Sequence, residues 1–369
     1  MILMNDFGRQ WADTGADVLE AVEKTGASGW YVLGNSVKEF ERDLAAWWGI
    51  ENAVGVANGL DGIEIGLKAL GCGAGDFVLT SPISAFATPL AILKLGATPV
   101  FADCDEFGLI DLKECRKILA SRPEIRYFVP VHMYGHSLDM GELSALKADF
   151  KLGMVEDCAQ SIGARHNGIA CGTVGQYAAT SFYPTKNLGA LGDGGAVLCH
   201  ESGDTEKIRQ LRDYGQTAKY KHDLLGYNSR LDELQAGILA KAFLPRLSRW
   251  TARRREIAAA YLAGIANPLL QVLGPPPGSE SCWHLFPLLL EASRKAEAMS
   301  YFKAAGVAVG EHYPLALIEQ KALEPWKGKL GSECEKSIAF CHAQLSLPIH
   351  PYLTDEEVQR VIAVANGWS

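Results

Sequence analysis

The sequence predicts an α/β fold, with a large domain built on a mainly parallel sheet and a smaller C-terminal α+β domain. From residue 76 to about 200, short apolar runs typical of strands alternate with segments of helical periodicity. Strands that alternate with helices usually pair in parallel and are covered on both faces. Beyond about residue 245 the alternation ends, so we expect a large domain over 1–245 and a small domain over 246–369.

The individual elements follow from periodicity and from glycine, proline and polar turn signals. In the second helix, for example, Val37, Phe40 and Leu44 recur at helical spacing. Helices are predicted over 12–25, 36–48, 84–95, 111–120, 140–148, 202–214, 231–263, 295–305, 331–341 and 354–367, and another begins at 58–61. Strands are predicted over 53–57, 77–80, 98–103, 126–132, 151–157 and 282–290.

The composition narrows the classes of function. With 369 residues, 48% apolar and 21% charged, the chain resembles ordinary globular proteins, and its net charge of −8 argues against nonspecific nucleic-acid binding. No signal-peptide pattern is present, and no run approaches the roughly 20 apolar residues of a membrane span. The nine cysteines lack the spacings of zinc sites or disulfide frameworks. We therefore expect a cytoplasmic protein with reduced thiols, no metal and no membrane partner.

The segment 181–195 carries the first candidate catalytic residue. It places Lys186 between an aromatic, proline-containing turn and a run of glycines, after an apolar strand-like segment. A lysine amine becomes nucleophilic when it is partly desolvated and deprotonated, and the same amine can later move a proton. We predict that Lys186 binds the aldehyde of pyridoxal 5′-phosphate covalently. The alternative is a solvated loop lysine.

The same chemistry needs a carboxylate that keeps the pyridine nitrogen of this cofactor protonated. Asp157 is the candidate, because it closes the short apolar segment 151–157. Taken alone, Glu156 and Asp157 could merely cap the next element. Lys186 and Asp157 both follow strand-like runs, however, and open α/β sheets place their ligands at the carboxyl ends of strands. We therefore expect the two side chains to share one site.

A candidate anion site lies where the strand 53–57 leads through a glycine turn into a helix. Free backbone N–H groups and the helix dipole favour an anion at such a junction. We assign the cofactor phosphate to the amides around Gly59, Leu60 and Asp61, and expect the Ser181 hydroxyl to complete the cradle. The alternative is an ordinary turn in which Asn58 or Asp61 caps the helix.

Four motifs together resemble the DegT/DnrJ/EryC1/StrS aminotransferases. They are the segments 58–61, 156–161, 181–195 and 226–236, and the similarity extends from 29–34 to 345–350. The resemblance implies a fold-type I pyridoxal phosphate enzyme that aminates keto sugars, usually attached to a nucleotide. Pyridoxamine phosphate would be the aminated form of the cofactor.

The resemblance also implies roles for individual residues. Gln160 is expected to hydrogen-bond the ring hydroxyl of the cofactor. Related enzymes commonly cover the ring with an aromatic side chain; here the matching position is Ala85 and the aromatic residue is Phe86, so both remain candidates. Asn228 is expected to reach the cofactor phosphate of a neighbouring subunit, which implies a homodimer with a shared active site.

Three further residues are expected to contact the substrate. His312 and Tyr313 occupy the place of a His-Tyr-Pro turn that lies near the substrate in related proteins, and Tyr183 follows the strand-like run before Lys186. The residues after Pro314 lack the second proline and histidine often found there. The substrate pocket is therefore expected to differ from that of better-known relatives.

The expected reaction is a transamination in two half-reactions. Glutamate is the expected amino donor, and the acceptor is a keto sugar on a dTDP or UDP carrier, with a 3-keto group preferred over a 4-keto group. The alternatives are a cofactor-dependent sugar dehydratase, in whose known type a histidine replaces the lysine, an aminotransferase acting on a cyclitol, and a non-catalytic sensor. The nucleotide, the ring carbon, the stereochemistry and the final glycan remain open.

Overall fold

The computed structural model describes residues 1–329 and 331–369 of the chain. Its helices are α1 Phe7–Ser28, α2 Asn35–Trp48, α3 Gly59–Ala69, α4 Ala87–Lys94, α5 Leu112–Ser121, α6 Met140–Asp149, α7 Ser202–Arg212, α8 Glu233–Ile238, α9 Leu247–Gly264, α10 Lys295–Ala304, α11 Glu335–Ala343 and α12 Asp355–Gly367. Its strands are β1 Asn52–Val56, β2 Phe77–Thr80, β3 Thr98–Phe101, β4 Ile125–Val129, β5 Gly153–Asp157, β6 Arg165–His166, β7 Ile169–Ala170, β8 Tyr177–Ser181, β9 Gly195–Cys199, β10 Gln216–Ala218, β11 Lys221–His222, β12 Gln271–Val272, β13 Ser279–Glu280, β14 Phe286–Leu289 and β15 Gln344–Leu347.

A seven-stranded sheet in the order β1-β9-β8-β5-β4-β2-β3 forms the centre of the large unit. The pairs from β8 through β5, β4 and β2 to β3 are parallel, whereas β9 runs antiparallel to both β8 and β1. The predicted α/β fold with a mainly parallel sheet is therefore confirmed. Because the parallel strands end at one edge, the loops that follow β1, β2, β5 and β8 meet there.

Helices cover both faces of this sheet. On one face, Ile63 and Leu67 of α3 lie in a buried cluster with side chains of β5 and β9. On the other face, Phe40 and Leu44 of α2 pack in a second cluster, where the rings of Phe40 and Phe182 meet edge to face at 5.3 Å. This double cover fixes the sheet edge from which the site residues project.

The C-terminal unit is built on the antiparallel sheet β12-β14-β15, against which α9, α10 and α12 pack. Ile2, at the start of the chain, also pairs with Val307 and lies in this core. Asp103, after β3, joins the two units because its carboxylate accepts hydrogen bonds from the backbone N–H groups of Lys336 and Ser337 in α11. The division at residues 245 and 246 remains a prediction.

The helix predicted over 231–263 is divided into four helical segments in the structure. It consists of α8, a π-helical segment at 239–243, a 3-10 turn at 244–246 and α9. Ser229 stands three residues before Asp232, the spacing of a capping box, but its hydroxyl accepts from the N–H of Ala57. Among the helices of the described ranges, none combines the length and apolar content needed to span a bilayer.

Candidate active site

A cavity of about 990 Å³ lies at the carboxyl edge of the large sheet. The loops after β1, β5 and β8 form one wall, and residues 284–285 and 310–313 of the C-terminal unit form the opposite wall. A cleft between two units at this edge is a common position for a ligand in α/β proteins. Most of the predicted site residues line it, namely Gly59, Leu60, Asp61, Ala85, Asp157, Gln160, Ser181, Tyr183, Lys186, His312 and Tyr313.

Lys186 lies in the turn that follows β8. Its backbone N–H donates to the carbonyl of Tyr183 at 2.8 Å, which closes the turn, and its side chain lines the cavity. Burial disfavours the charged ammonium and lowers the pKa of Lys186 to about 8, while the nearby charge of Asp157 opposes this change. A substantial fraction of the amine is therefore neutral, and nucleophilic, near pH 7 to 8.

Asp157 is the last residue of β5 and is 5% exposed. Its Oδ1 accepts from the N–H of Ala159 at 3.0 Å, and its Oδ2 accepts from the hydroxyl of Thr88 at 2.9 Å. Burial raises the pKa of Asp157, and these two donors together with the charge of Lys186 oppose that rise. The Thr88 hydroxyl lies 2.8 Å from the hydroxyl of Ser84, so a chain of buried hydroxyls orients the carboxylate.

The start of α3 faces Ser181 across a short gap. Asn58 caps the helix because its Oδ1 accepts from the N–H of Asp61 at 2.8 Å. The backbone N–H of Asp61, one of the three predicted phosphate donors, is therefore already hydrogen-bonded. The N–H groups of Gly59 and Leu60, in the first turn of the helix, remain available for a phosphate. The negative side chain of Asp61 also belongs to the cavity lining.

Gly59 allows this close approach. A Cβ added at Gly59 would lie 2.7 Å from Cβ of Ser181, and a Cβ added at Gly195 would lie 2.5 Å from the carbonyl carbon of Asn58. Both contacts are shorter than side chains tolerate, so two glycines bring the strand ends and the helix start together. The result is a concave patch of N–H groups and a hydroxyl, which suits a phosphate.

Gln160 has one end of its amide fixed. Its Oε1 accepts from the N–H of Tyr134 at 2.8 Å, which leaves the Nε2 hydrogens for the cavity, where the Tyr313 hydroxyl lies 3.5 Å away. Tyr134 in turn donates from its hydroxyl to the carbonyl of His312 at 2.7 Å. The amide is therefore held as a donor toward the cavity, the role expected toward a ring hydroxyl.

His312 is a neutral group on the opposite wall. Burial and the charge of Lys186 lower the pKa of His312 to about 4. Its Nδ1 lies 3.0 Å from the hydroxyl of Ser346. Tyr183, by contrast, is 53% exposed at the cavity mouth. The assignment of these residues to substrate contact remains a prediction.

Two predicted residues do not line the cavity. Phe86 directly precedes α4 and packs beside the buried Phe101 and Leu317, whereas Ala85 lies in the cavity wall; which of the two covers the cofactor ring stays a prediction. The two positions differ because the turn into α4 directs consecutive side chains in different directions. Asn228 is exposed and lies outside the cavity of its own chain, so its role toward a neighbouring subunit remains a prediction.

The sequence arguments missed Thr88 and His284. Thr88 is the second residue of α4 and donates its hydroxyl hydrogen to Asp157, and no spacing in the sequence links the two residues. His284 lies in a segment predicted as a strand, whereas β14 begins two residues later and leaves the imidazole in the cavity wall.

One buried cluster outside the cavity combines metal-ligand residue types. The side chains of His132, Glu156 and Cys158 approach within 4.8 Å of one another. The Glu156 carboxylate, however, accepts from the N–H groups of Gly172, Val174 and Gly175 and lies 2.9 Å from His132 Nε2. Its oxygens are thus used to anchor a loop, so we interpret the cluster as structural.

Comparisons with known proteins agree with this geometry. The model of the DegT/DnrJ/EryC1/StrS aminotransferase family matches residues 12–365. The dTDP-3-amino-3,4,6-trideoxy-alpha-D-glucose transaminase of Streptomyces venezuelae is 37% identical over 99% of this chain and 95% of its own length. A UDP-N-acetyl-3-dehydro-alpha-D-glucosamine 3-aminotransferase of Acidithiobacillus ferrooxidans is 35% identical, with 98% of this chain and 96% of the relative covered.

Solved structures of similar proteins agree with this geometry as well. The crystal structure of S. venezuelae DesV in complex with a ketimine intermediate superposes with a TM-score of 0.94 at 36% identity, over 100% of this chain and 98% of that one. NtdA from Bacillus subtilis, solved with bound cofactor PMP, has a TM-score of 0.87 at 27% identity and covers 95% of this chain and 80% of its own.

Proposed function

The chain belongs to the DegT/DnrJ/EryC1/StrS aminotransferase family, and from that premise we propose that it transfers an amino group to a keto sugar carried on a nucleoside diphosphate. The observation that carries the proposal is the position of Lys186 and Asp157 in the wall of one cavity. A buried amine with a lowered pKa and a buried carboxylate are the two groups that pyridoxal phosphate chemistry requires of a protein.

The residues of the cavity fit pyridoxal phosphate. Lys186 would hold the aldehyde carbon, Asp157 the ring nitrogen and Gln160 the ring hydroxyl. The start of α3 at Gly59, together with Ser181, would hold the phosphate in the glycine-lined cradle. When bound, this cofactor supplies an electron sink that allows a proton to leave a neighbouring carbon.

Within this arrangement, the side chains of the protein would position the cofactor and transfer protons. The Lys186 amine would attach the cofactor and, when free, would take a proton from the donor carbon and deliver it to the carbon through which the cofactor was attached. The Asp157 carboxylate would keep the proton on the ring nitrogen, and the Thr88 hydroxyl and the Ala159 amide hold that carboxylate in place.

The phosphate cradle gives the first testable prediction. In Gly59→Ala, the new Cβ should push Ser181 away and weaken pyridoxal phosphate binding about tenfold, since an overpacked contact costs about 1–3 kcal/mol. The measurement is a fluorescence titration of the protein freed of cofactor. Gly26→Ala is the matched control, because a Cβ there meets nothing within 4 Å and the helix gains about 1 kcal/mol. Equal affinity in both variants would contradict the cradle.

The proposed position of the keto group and the proposed nucleotide carrier are inferred from the relatives. Two relatives of 37% and 35% identity act on 3-position amino sugars, one on a dTDP and one on a UDP carrier. They support a 3-keto nucleotide sugar over a 4-keto one, and glutamate is the proposed amino donor.

A homodimer and a cytoplasmic location are part of the proposal. Trp30, Tyr31, Tyr220 and Leu225 are each more than half exposed, and Asn228 closes the hairpin segment that contains Tyr220. Exposed aromatic and aliphatic side chains near the predicted inter-subunit asparagine support a second copy as their partner. All nine cysteines are free thiols, which suits a reducing compartment.

The decisive experiment offers substrates to the amine-loaded protein. The protein is preloaded with glutamate, and 3-keto and 4-keto sugars on dTDP and UDP, and a cyclitol ketone, are then added separately while the absorbance of the pyridoxamine form is followed. We expect rapid loss of that form with a 3-keto nucleotide sugar. Turnover only with a 4-keto sugar would correct the position, and turnover only with a cyclitol ketone would overturn the proposal.

A further inference from the structure

His284 is tethered to the loop that carries Lys186. Its Nδ1 lies 3.2 Å from Oδ1 of Asn187, and the Asn187 amide is oriented by its other end, where Nδ2 donates to the carbonyl of Cys282 at 3.1 Å. Because Oδ1 of Asn187 can only accept, Nδ1 of His284 carries the hydrogen. In a neutral imidazole, Nε2 is then left with a free lone pair.

Arg254 fixes the backbone on either side of this ring. Its Nη1 donates to the carbonyls of Trp283 at 3.2 Å and His284 at 3.3 Å, and also to the carbonyl of Ile349. Arg254 is 4% exposed, and among the described acidic side chains none forms an ion pair with it. The His284 ring is therefore held at both its backbone and its Nδ1 atom.

The surroundings keep this imidazole neutral. Burial lowers the pKa of His284 well below its usual range, and the positive charges of Lys186 and Arg254 lower it further. Of these two charges, that of Lys186 has the larger effect. Within the described part of the chain, nothing donates to Nε2, so the cavity wall contains a fixed acceptor.

We propose that Nε2 of His284 accepts a hydrogen bond from the Lys186 ammonium, the form in which that side chain carries the proton during transamination. Lys186 lines the same cavity as His284, it directly precedes Asn187, to which the ring is tethered, and its charge lowers the pKa of His284. Burial disfavours an ammonium, and an acceptor in the wall offsets part of that cost. The inference rests on the proposed function, since it needs a proton-carrying Lys186, and it makes His284 a positioning residue.

Two variants of His284 distinguish the contribution of Nδ1 from that of Nε2. His284→Asn keeps an amide near the position of Nδ1 but places no atom at the position of Nε2, whereas His284→Gln reaches the position of Nε2. The full-length protein in its amine-loaded form, in which Lys186 is free, is labelled with trace acetic anhydride across a pH series. Peptide mass spectrometry then gives the pKa of Lys186. His342→Asn, an exposed histidine of α11 outside the cavity, is the control.

In His284→Asn we expect the pKa of Lys186 to fall by about one unit, because the ammonium loses its acceptor. We also expect kcat to fall about tenfold with the KM of the keto sugar unchanged, and His284→Gln to recover part of both losses. An unchanged pKa of Lys186 in His284→Asn would overturn the proposal. If the KM of the sugar rose as well, Nε2 would instead accept from a substrate hydroxyl. The labelling needs no sugar turnover, so it stands even if the proposed substrate is wrong.

Discussion

Lys186→Ala is expected to abolish covalent attachment of the cofactor and to lower turnover by on the order of 10⁴-fold, since it removes both the attachment point and the proton carrier. In the unchanged protein, borohydride reduction followed by peptide mass spectrometry should place the pyridoxyl group on Lys186. Lys94→Ala is the matched control, because Lys94 is the other lysine in the described cavity lining and is engaged by Glu64 and Asp61. An adduct on Lys94 would refute the assignment.

The rate at which the cofactor forms an adduct with Lys186 has a predicted pH dependence. Burial lowers the pKa of Lys186 to about 8, so the neutral amine increases as pH rises toward that value. With the cofactor-free protein, the rate of adduct formation should increase about tenfold per pH unit below pH 8 and level off above it. A rate that continued to rise to pH 10 would show an ordinary solvated lysine instead.

Sequence reasoning identified those site residues that lie at the end of a strand or in the turn after it. Asp157 ends β5 and Lys186 lies in the turn after β8, and the parallel alternation of strands and helices predicts that such strand ends meet at one edge. The strand that carries Asp157 was predicted over 151–157 and is observed over Gly153–Asp157, because the hydrophobic periodicity of a covered sheet is strong.

The remaining site residues depend on tertiary contacts. Whether Ala85 or Phe86 faces the cavity depends on the angle at which α4 begins, and motif spacing does not determine that angle. Thr88 meets Asp157, and Asn187 meets His284, only after distant segments fold together. Such pairs carry no local signal, because neither partner has an unusual sequence neighbourhood.

Asp157→Asn is expected to lower kcat by on the order of 10³-fold while leaving the cofactor attached to Lys186. The amide is nearly the same size and can still meet the Ala159 N–H or the Thr88 hydroxyl, so the fold should be retained. It carries no negative charge, however, and cannot keep the ring nitrogen protonated as electrons arrive, which removes stabilisation specific to the transition state. The measurement is single-turnover kinetics, alongside borohydride trapping of the adduct.

The neighbouring carboxylate provides the control for Asp157. Glu156 is also fully buried, but its oxygens meet Gly172, Val174 and Gly175 and not the cavity. Glu156→Gln should therefore lower Tm, because one oxygen that accepts backbone N–H groups becomes an NH₂ donor, and should leave the chemical step of the folded protein nearly unchanged. If Asp157→Asn lowered Tm to the same extent and kcat hardly at all, Asp157 would be a structural residue and the electron-sink assignment would be wrong.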